Sequence, residues 1–377
     1  MTDHIASNVR RLRALKGMNQ DEVAQKAGIS RNAYRAIETG ASEPRVGNLQ
    51  RIADALDVSI IQLMQEVPKL ETLRFRSRKT MTAQQRAERD TVVTEVGYWL
   101  KDFCELEDQL GKKPSASLCD LPGKATDPQQ MAKMARDRLT KDVSCPIADI
   151  CDVLEDAGIK LYLTPSKSIA FFGLSVNKAD GGPAIAVNTR DDIPVERRIF
   201  SAAHELGHLL LHTDSYDGNV RDEEDSEPEE KQADAFAGYF LMPSDAFVLK
   251  WSEYKGLHLF DRVLKVKRYF QVSYKTVLRR LIAMGVAEPS IWAQFYKYYA
   301  MRFGKKLAGK QEPLSIEKDL GPEPYPLLDP DFYEDRLSGL VQEALEKNII
   351  SLDRAAEILD ISLEDMRNRA ESWSLTR

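Results

Sequence analysis

The chain has 377 residues, 43% of them hydrophobic and 30% charged, with a formal net charge of −6. This is the composition of a globular protein, and the length suits two or three domains. No apolar run approaches the length of a membrane span, and the N-terminus lacks a signal-peptide core, so we expect a cytoplasmic protein without a membrane partner. The four cysteines show no CxxC pairing, which favours reduced thiols over disulfides or a thiolate metal site.

Charge is unevenly distributed along the chain. Residues 69–89 carry seven Lys/Arg against two acidic residues, whereas residues 222–230 contain seven carboxylates and no basic residue. The basic run is a candidate contact for a polyanion, and the acidic run is more typical of a solvated loop.

The first half of the chain predicts helices. Residues 5–66 have the pattern of short packed helices with no strand, within a predicted domain of residues 1–67. Residues 68–128 are predicted to be a basic helical linker region, with a helix over 84–110 followed by a loop rich in Pro, Gly and Ser. Helices over about 129–140 and 146–157 begin the next domain, predicted to span 129–310.

The pattern changes after Gly158. The runs IKLYLTP, IAFFGLSV and PAIAVN predict a small sheet of three strands. Pro194 suits the first turn of the helix that carries VERRIFSAAHELGHLLLH, and EKQADAFAGYFLM predicts another helix ended by Pro243. Further helices follow over about 244–304. The expected fold class is therefore mainly α with a small sheet (α+β).

The C-terminal part divides into a linker and a helical module. Residues 311–330 contain five prolines, which predicts a linker, and residues 331–377 predict two or three helices. The segment 266–285 has the layout of a second helix-turn-helix with Arg279 and Arg280 exposed, and we interpret it as a scaffold or substrate platform before a DNA contact. An aromatic stripe at helical spacing favours core packing over base stacking; it comprises Trp292, Phe295, Tyr296, Tyr299 and Phe303.

Residues 20–40 have the layout of a DNA-binding helix-turn-helix. Gly28 permits the tight turn, Ser30 is a good N-cap for the second helix, and Gly40 ends that helix. The second helix would enter the major groove of double-stranded DNA by its N-terminal residues. The candidate DNA contacts are Gln20, which suits a phosphate, and, around the start of that helix, Ser30, Arg31, Asn32 and Arg35.

These residues, with the GIS and IExG elements, closely resemble the XRE-type domain shared with phage repressors, over residues 5–66. Residues 1–67 hold nine Lys/Arg and eight Asp/Glu, which is a weak electrostatic footprint. Tight binding would then need a homodimer or help from the basic stretch, namely Arg74, Arg76, Arg78 and Lys79. The alternative is a helix-turn-helix fold used for protein contacts.

The sequence HELGH at residues 204–208 has the spacing of a hydrolytic metal site. On a helix, His204 and His208 lie on one face and can reach one metal ion, while Glu205 can take a proton from an activated water. A catalytic zinc site needs a third protein ligand. Chemistry favours Glu230 on the next predicted helix, with Glu229 and His212 as alternatives. Asp234 would accept a hydrogen bond from a ligand histidine, and His212 is otherwise expected beside the ligands or at the cleft rim.

The stretches 188–212 and 230–243 resemble the ImmA/IrrE family of metallo-endopeptidases. The motifs that carry the resemblance are Asn188, the Arg198 and Phe200 that precede AHELGH, and the ExxAD-x-FA…LMP helix; the resemblance covers roughly residues 70–285. It implies a gluzincin-like zinc endopeptidase in which His204, His208 and Glu230 hold the metal and Glu205 is the general base. The His₂Glu set also accepts Mn²⁺.

Two further features of the catalytic cleft can be anticipated. Candidates for stabilising the oxyanion are His212, Tyr216 and Tyr239. An edge strand within residues 169–188 is expected to bind the substrate as an added strand.

The two resemblances together predict a transcriptional regulator that cleaves an XRE-type repressor or antitoxin and so derepresses stress, prophage or defence genes. Its own N-terminal domain is a second candidate substrate, because a cut within residues 68–128 would separate the DNA reader from the protease. The alternatives are a transcription factor or antitoxin whose metallopeptidase-like domain only senses a ligand or metal.

Overall fold

The computed structural model describes residues 2–66, 68–75, 83–114, 127–166, 171–216, 227–308, 311–313 and 327–375. These residues are mainly helical with one small sheet, which confirms the α+β prediction. The chain forms two compact units, Met1–Lys69 with Asp90–Tyr98, and Leu70–Arg89 with Trp99–Arg377. Among the described residues, no helix has both the length and the apolar character that a bilayer crossing requires.

The N-terminal unit is a bundle of short helices, as predicted. Asn19 and Glu22 form a capping box at the start of the second helix, and Ser30 caps the third by accepting a hydrogen bond from Ala33 N–H. The core contains Val9, Val23 and Tyr34. The helices are α1 (Thr2–Leu15), α2 (Gln20–Lys26), α3 (Arg31–Glu38), α4 (Val46–Leu56) and α5 (Ile60–Met64).

The next three helices of the chain come before the strands within residues 160–188. Helix α6 (Ala83–Leu110) ends before Gly111, whose φ of +65° is one that glycine adopts without strain. Helices α7 (Pro128–Leu139) and α8 (Ile150–Asp156) follow, close to the predicted ranges. Both are capped by aspartate side chains, Asp127 and Asp149.

The sheet has four strands in the described chain, one more than predicted. The three expected strands are β2 (Lys160–Thr164), β3 (Gly173–Val176) and β4 (Ala184–Asn188), and the additional one is β1 (Leu73–Phe75). The order is β1-β3-β4-β2, with β2 parallel to β4 and the other pairs antiparallel. The expectation of an edge strand within 169–188 is therefore wrong, because β3 lies between β1 and β4, and β4 lies between β3 and β2.

Two helices pack closely against each other and carry the candidate metal ligands. They are α9 (Val195–Leu211) and α10 (Glu227–Leu241). A Cβ atom built on Gly207 of α9 would lie 3.0 Å from Cδ1 of Phe236 and 3.3 Å from Cα of Ala233. The glycine of HELGH therefore allows α10 to approach the ligand-bearing face of α9.

The remaining helices complete the second unit. Helices α11 (Ser244–Glu253), α12 (Leu259–Phe270), α13 (Tyr274–Ala283) and α14 (Ile291–Phe303) match the expected helical region. Phe295 and Tyr299 are buried core residues, as the aromatic stripe predicts. Arg280 was expected to be exposed and is buried instead; its guanidinium donates to Met242 O and Ser244 Oγ.

The C-terminal module consists of α15 (Arg336–Glu346), α16 (Leu352–Ile358) and α17 (Leu363–Leu375). Its first residue, Arg336, forms an ion pair with Glu107 of α6, and the buried Glu107 also accepts from Lys160 Nζ at 3.1 Å. Arg354 of α16 pairs with Asp102. These contacts connect the module to the rest of the second unit. Most of the predicted linker 311–330 lies outside the described residues.

Candidate functional site

Helices α9 and α10 bring three potential metal ligands together. Nε2 of His204 lies 3.0 Å from Nε2 of His208. Oε1 of Glu230 lies 3.1 Å from His208 Nε2, and its Oε2 lies 3.5 Å from His204 Nε2. The ligand atoms of all three residues lie within 4.8 Å of one another. The two histidines are buried and the glutamate is partly exposed, so the cluster opens on its Glu230 side.

Hydrogen bonds around the cluster determine which ring nitrogens carry protons. His212 Nε2 lies 2.9 Å from the amide oxygen of Gln232, which can only accept, so His212 carries its proton there. Its Nδ1 then accepts from Nδ1–H of His208 at 2.9 Å. Nδ1 of His204 donates to Asp234 Oδ1 at 2.9 Å. Both Nε2 atoms, of His204 and His208, therefore present lone pairs to the same point.

This donor set fits a divalent zinc-type cation. Two lone pairs 3.0 Å apart beside a carboxylate repel one another, and a cation between them removes the repulsion. In a tetrahedral zinc site with ligand distances near 2.0–2.1 Å, neighbouring donor atoms are roughly 3.3 Å apart. The observed separations of 3.0, 3.1 and 3.5 Å bracket that value. Two imidazoles and one carboxylate are also a donor set that leaves a position open for catalysis.

The buried imidazoles favour their neutral, metal-binding form. Burial lowers the pKa of His208 to about 3, even though the negative charge of Glu230 acts in the opposite direction. Burial likewise lowers the pKa of His212. Near neutral pH both rings are therefore uncharged, which is the state that the hydrogen-bond chain through Gln232 requires.

Glu205 is held by a chain of hydroxyl groups that the sequence did not predict. Ser175 of β3 is fully buried and donates its hydroxyl to Glu205 Oε2 at 2.9 Å. The Tyr216 hydroxyl lies 2.7 Å from Ser175 Oγ and can donate to it. Gly173 lies two residues before Ser175, and a Cβ atom there would lie 2.8 Å from Oε1 of Glu205. Side chains alternate between the two faces of a strand, so Gly173 and Ser175, two residues apart on β3, lie on the same face. This spacing is the one sequence feature that relates the two residues.

The two alternative third ligands have other partners. Glu229 accepts a hydrogen bond from Arg74 NH1 at 2.7 Å and another from Ser215 Oγ at 3.0 Å. Burial opposes ionisation of Glu229, but the hydrogen bond and charge of Arg74 outweigh it and lower its pKa. His212 binds His208 and Gln232 through its two ring nitrogens. Neither residue belongs to the ligand cluster.

The oxyanion candidates lie in different places. Tyr216 is buried with its hydroxyl directed to Ser175, beside Glu205. Tyr239 instead packs under the guanidinium of Arg280, whose central carbon lies 3.8 Å from the ring centre. The ring nitrogens of His212 are occupied as described above. Tyr216 is therefore linked to the base through the Ser175 hydroxyl.

The predicted DNA contacts lie at the start of α3 in the N-terminal unit. Ser30, Arg31, Asn32 and Arg35 are exposed. Arg31 also forms an ion pair with Asp21, with Nε 3.0 Å from Oδ1, so its guanidinium lies beside the first turn of α2. The part of the basic stretch beyond Phe75, with Arg76, Arg78 and Lys79, lies outside the described residues. Arg74 is only 6% exposed and paired with Glu229, so the expectation that it helps DNA binding is wrong.

A buried ion pair that no local sequence pattern indicates supports the helix-turn-helix. Glu38 of α3 is 3% exposed and accepts from Arg13 Nε at 2.9 Å and NH2 at 2.8 Å. Gln20, the predicted phosphate contact, donates to Glu38 Oε1 at 3.1 Å. Burial raises the pKa of Glu38, but the hydrogen bonds from Arg13 and Gln20 and the charge of Arg13 lower it below its usual value overall. Arg13 and Glu38 therefore connect α1 to α3.

Comparisons with known proteins match both parts of the chain. Residues 9–63 match the helix-turn-helix family, and residues 154–282 match a peptidase family described as the IrrE N-terminal-like domain. These matches confirm both resemblances. The peptidase match contains the ligand cluster, Glu205 and strand β3.

Curated relatives match over short segments. The uncharacterized HTH-type transcriptional regulator y4dJ of Sinorhizobium fredii is 38% identical over 60 residues, 16% of this chain and 78% of that protein. The cryptic phage CTXphi transcriptional repressor RstR of Vibrio cholerae is 33% identical over 61 residues, 16% of this chain and 55% of the repressor. The HTH-type regulator YqaE of Bacillus subtilis is 39% identical over 59 residues, 16% of this chain and 51% of that protein.

The chain spans about half the length of several of these relatives, down to 45% of the HTH-type regulator y4dL of Sinorhizobium fredii. The match to y4dJ extends over most of that regulator. The chain therefore belongs to the XRE-type helix-turn-helix transcriptional regulators, and it joins that module to a domain of the IrrE N-terminal-like peptidase family.

Proposed function

We propose that this protein is a DNA-binding regulator whose second unit is a zinc-dependent endopeptidase. The observation that carries the proposal is the convergence of His204, His208 and Glu230, with both Nε2 lone pairs directed to one point. A purely structural cluster of buried histidines would gain nothing from facing lone pairs. We name Zn²⁺ as the metal, and the same donor set accepts Mn²⁺.

The residues around the cluster have distinct roles in peptide hydrolysis. Zinc held there supplies Lewis acidity, which polarises the scissile carbonyl and makes water easier to deprotonate. Glu205 takes the proton of the attacking water and delivers it to the leaving amine. Ser175 and Tyr216 orient the Glu205 carboxylate through their hydroxyls, and Gly173 leaves space for it.

The helix-turn-helix unit indicates the class of substrate. A protease joined to an XRE-type module would be concentrated where regulators of that class bind DNA. We therefore propose that the substrate is an XRE-type repressor or antitoxin, in trans, or this chain's own N-terminal unit. Cleavage would derepress the genes under that regulator, in the cytoplasm. The similarity to a phage repressor supports this class of target.

The proposal is tested by cleavage of the XRE-type regulator encoded beside this gene. Zinc-loaded full-length protein and its Glu205→Gln variant are incubated with that regulator and with operator DNA, and the fragments are identified by mass spectrometry. We expect fragments of the regulator or of this chain with the wild type and none with the variant. A wild type that binds zinc and leaves both proteins intact in the presence and absence of DNA would instead identify a metal or ligand sensor.

A further inference from the structure

Strand β1 covers the edge of β3 that lies beside the candidate active site. β3 directs Gly173 and Ser175 to Glu205, so this strand forms the wall of the site next to the base. β1 runs antiparallel along its outer edge, with Arg74 directly opposite Ser175. Directly opposite residues of an antiparallel pair project to the same face, so Arg74 lies on the active-site side.

The Arg74 side chain spans the distance from β3 to the metal ligands. It is 6% exposed, and its NH1 atom donates to Glu229 Oε2 at 2.7 Å. Glu229 immediately precedes the ligand Glu230. β1 therefore connects the strand beside Glu205 to the carboxylate beside the third ligand.

An extended segment added to a sheet edge is also how many proteins bind peptides, because the main-chain ladder recognises any sequence and side chains supply specificity. β1 is three residues long, and on its active-site face Arg74 forms an ion pair with Glu229. We propose that β1 is a strand of the same chain that occupies the edge of β3 where an extended substrate peptide binds; this inference rests on the proposed endopeptidase function. Substrate enters this edge when β1 leaves it.

The chain connects β1 directly to the DNA-binding unit. Helix α5 ends at Met64, and residues 65–72 lead from it into β1. Thr72 is fixed before the strand begins, because its N–H and hydroxyl both donate to Asp180 Oδ2 and its carbonyl accepts from Asn177 N–H. The segment between α5 and β1 is therefore short, so a displacement of α5 would pull on the strand that covers the site.

The ladder defines a matched pair of substitutions. Asn177 N–H bonds to the Thr72 carbonyl, and hydrogen-bonded pairs alternate along an antiparallel ladder, so the next such pair is Arg74 with Ser175. Arg74→Pro removes both a ladder donor and the ion pair to Glu229, which releases β1. Leu73→Pro is the control, because the N–H of residue 73 faces away from β3 and proline is tolerated there on an edge strand.

The test measures peptide binding without cleavage. All variants carry Glu205→Gln in the full-length zinc-loaded protein, and the probe is a fluorescent peptide with the sequence of residues 70–79, LETLRFRSRK. We expect Arg74→Pro to bind this peptide at least about tenfold more tightly than the parent, because more of the protein is in the binding-competent state. Leu73→Pro should bind as the parent does. Equal affinity of Arg74→Pro and the parent would overturn the proposal.

A covalent lock keeps the test decisive if Arg74→Pro folds poorly. Leu73 and Val176 form a non-hydrogen-bonded pair, whose Cα atoms lie close enough for a disulfide. The Leu73→Cys/Val176→Cys protein should lose peptide binding when oxidised and regain the parent affinity on reduction. Binding that is the same in the oxidised and reduced forms would contradict an exchange of strands at this edge.

The same variants with Glu205 restored separate this inference from the proposed function. Peptide binding that follows β1 release, without cleavage by any zinc-loaded variant, would support the strand exchange and overturn the endopeptidase. Cleavage that proceeds equally in the oxidised lock and in Arg74→Pro would support the endopeptidase and overturn the role of β1.

Discussion

Oδ1 of Asp234 lies 2.9 Å from Nδ1 of His204 and determines which nitrogen of that ring faces the metal-ligand cluster. Asp234 lies one turn after Glu230 on α10, so a single helix supplies both a ligand and the partner of another ligand. This arrangement fixes the ring orientation of His204 as well as its tautomer.

Replacement of Asp234 should therefore weaken metal binding. We expect Asp234→Ala to reduce zinc affinity about 10- to 100-fold, the range found when the partner of a ligating histidine is removed. Asp234→Asn keeps an acceptor oxygen and should lose less. The exposed Asp245 of the next helix provides the control, as Asp245→Ala should bind zinc like the wild type. Wild-type affinity in Asp234→Ala, measured by competition with a chromogenic chelator, would refute this role.

Gly173 should affect catalysis without affecting the metal. A methyl group at this position would lie 2.8 Å from Glu205 Oε1 and displace the carboxylate. We expect Gly173→Ala to lower kcat about 100-fold, since a displacement of about 1 Å can have that effect, while zinc affinity stays unchanged. The control is Gly238→Ala, where the added Cβ meets no atom within 4 Å. Parallel losses of zinc and activity would show that Gly173 serves the fold instead.

The packing of α9 on α10 predicts opposite effects for two helical glycines. Gly207→Ala places a Cβ atom 3.0 Å from Phe236 Cδ1 and 3.3 Å from the Ala233 backbone, and overpacking of this kind costs about 1–3 kcal/mol of unfolding free energy. Gly238→Ala adds a methyl group in open space and should stabilise by up to about 1 kcal/mol. Chemical denaturation of the two variants measures the difference. A Gly207→Ala protein as stable as Gly238→Ala would show that the two helices can separate freely.

The Arg13–Glu38 pair predicts a pH-dependent stability of the N-terminal unit. Because the folded-state pKa of Glu38 lies below its usual value of 4.5, its contribution is complete above that pH and is lost as the pH falls through the lower folded value. We expect Glu38→Gln to reduce the protection of amides in α1–α5 by about 2 kcal/mol at pH 7, the usual contribution of a hydrogen bond to a charged group. The difference in amide protection between Glu38→Gln and the wild type should become smaller below pH 4.5. Hydrogen exchange in the full-length protein measures this difference in protection. A difference that stays constant down to pH 3 would exclude the charge of Glu38 as its source.

Local patterns in the sequence were sufficient for most helices and for the residues of the metal cluster. The HELGH spacing places two imidazoles on one helix face whatever the tertiary structure, and the motif of α10 indicates Glu230. The sequence did not predict partners that are distant along the chain. Ser175 meets Glu205 because β3 packs on α9, and no local pattern marks a strand serine for that contact.

Strand β1 shows the same limit. In the sequence, Leu73, Arg74 and Phe75 belong to a basic stretch, and the arginines of such a stretch are normally exposed to solvent. This segment becomes part of a sheet because β3 offers an edge and Glu229 offers a carboxylate, and both are supplied by residues about 100 or more positions away. A short strand of this kind is determined by its neighbours and not by its own propensity.

Glu229 and Glu230 provide the most direct test of the proposed metal centre, since they are adjacent, chemically identical and assigned different roles. Zinc is titrated calorimetrically into metal-free full-length wild type, Glu229→Gln and Glu230→Gln. We expect one tight zinc site per chain in the wild type and in Glu229→Gln, and loss of that site in Glu230→Gln. Tight binding by Glu230→Gln, or its loss in Glu229→Gln alone, would contradict the assignment of His204, His208 and Glu230 as the ligands.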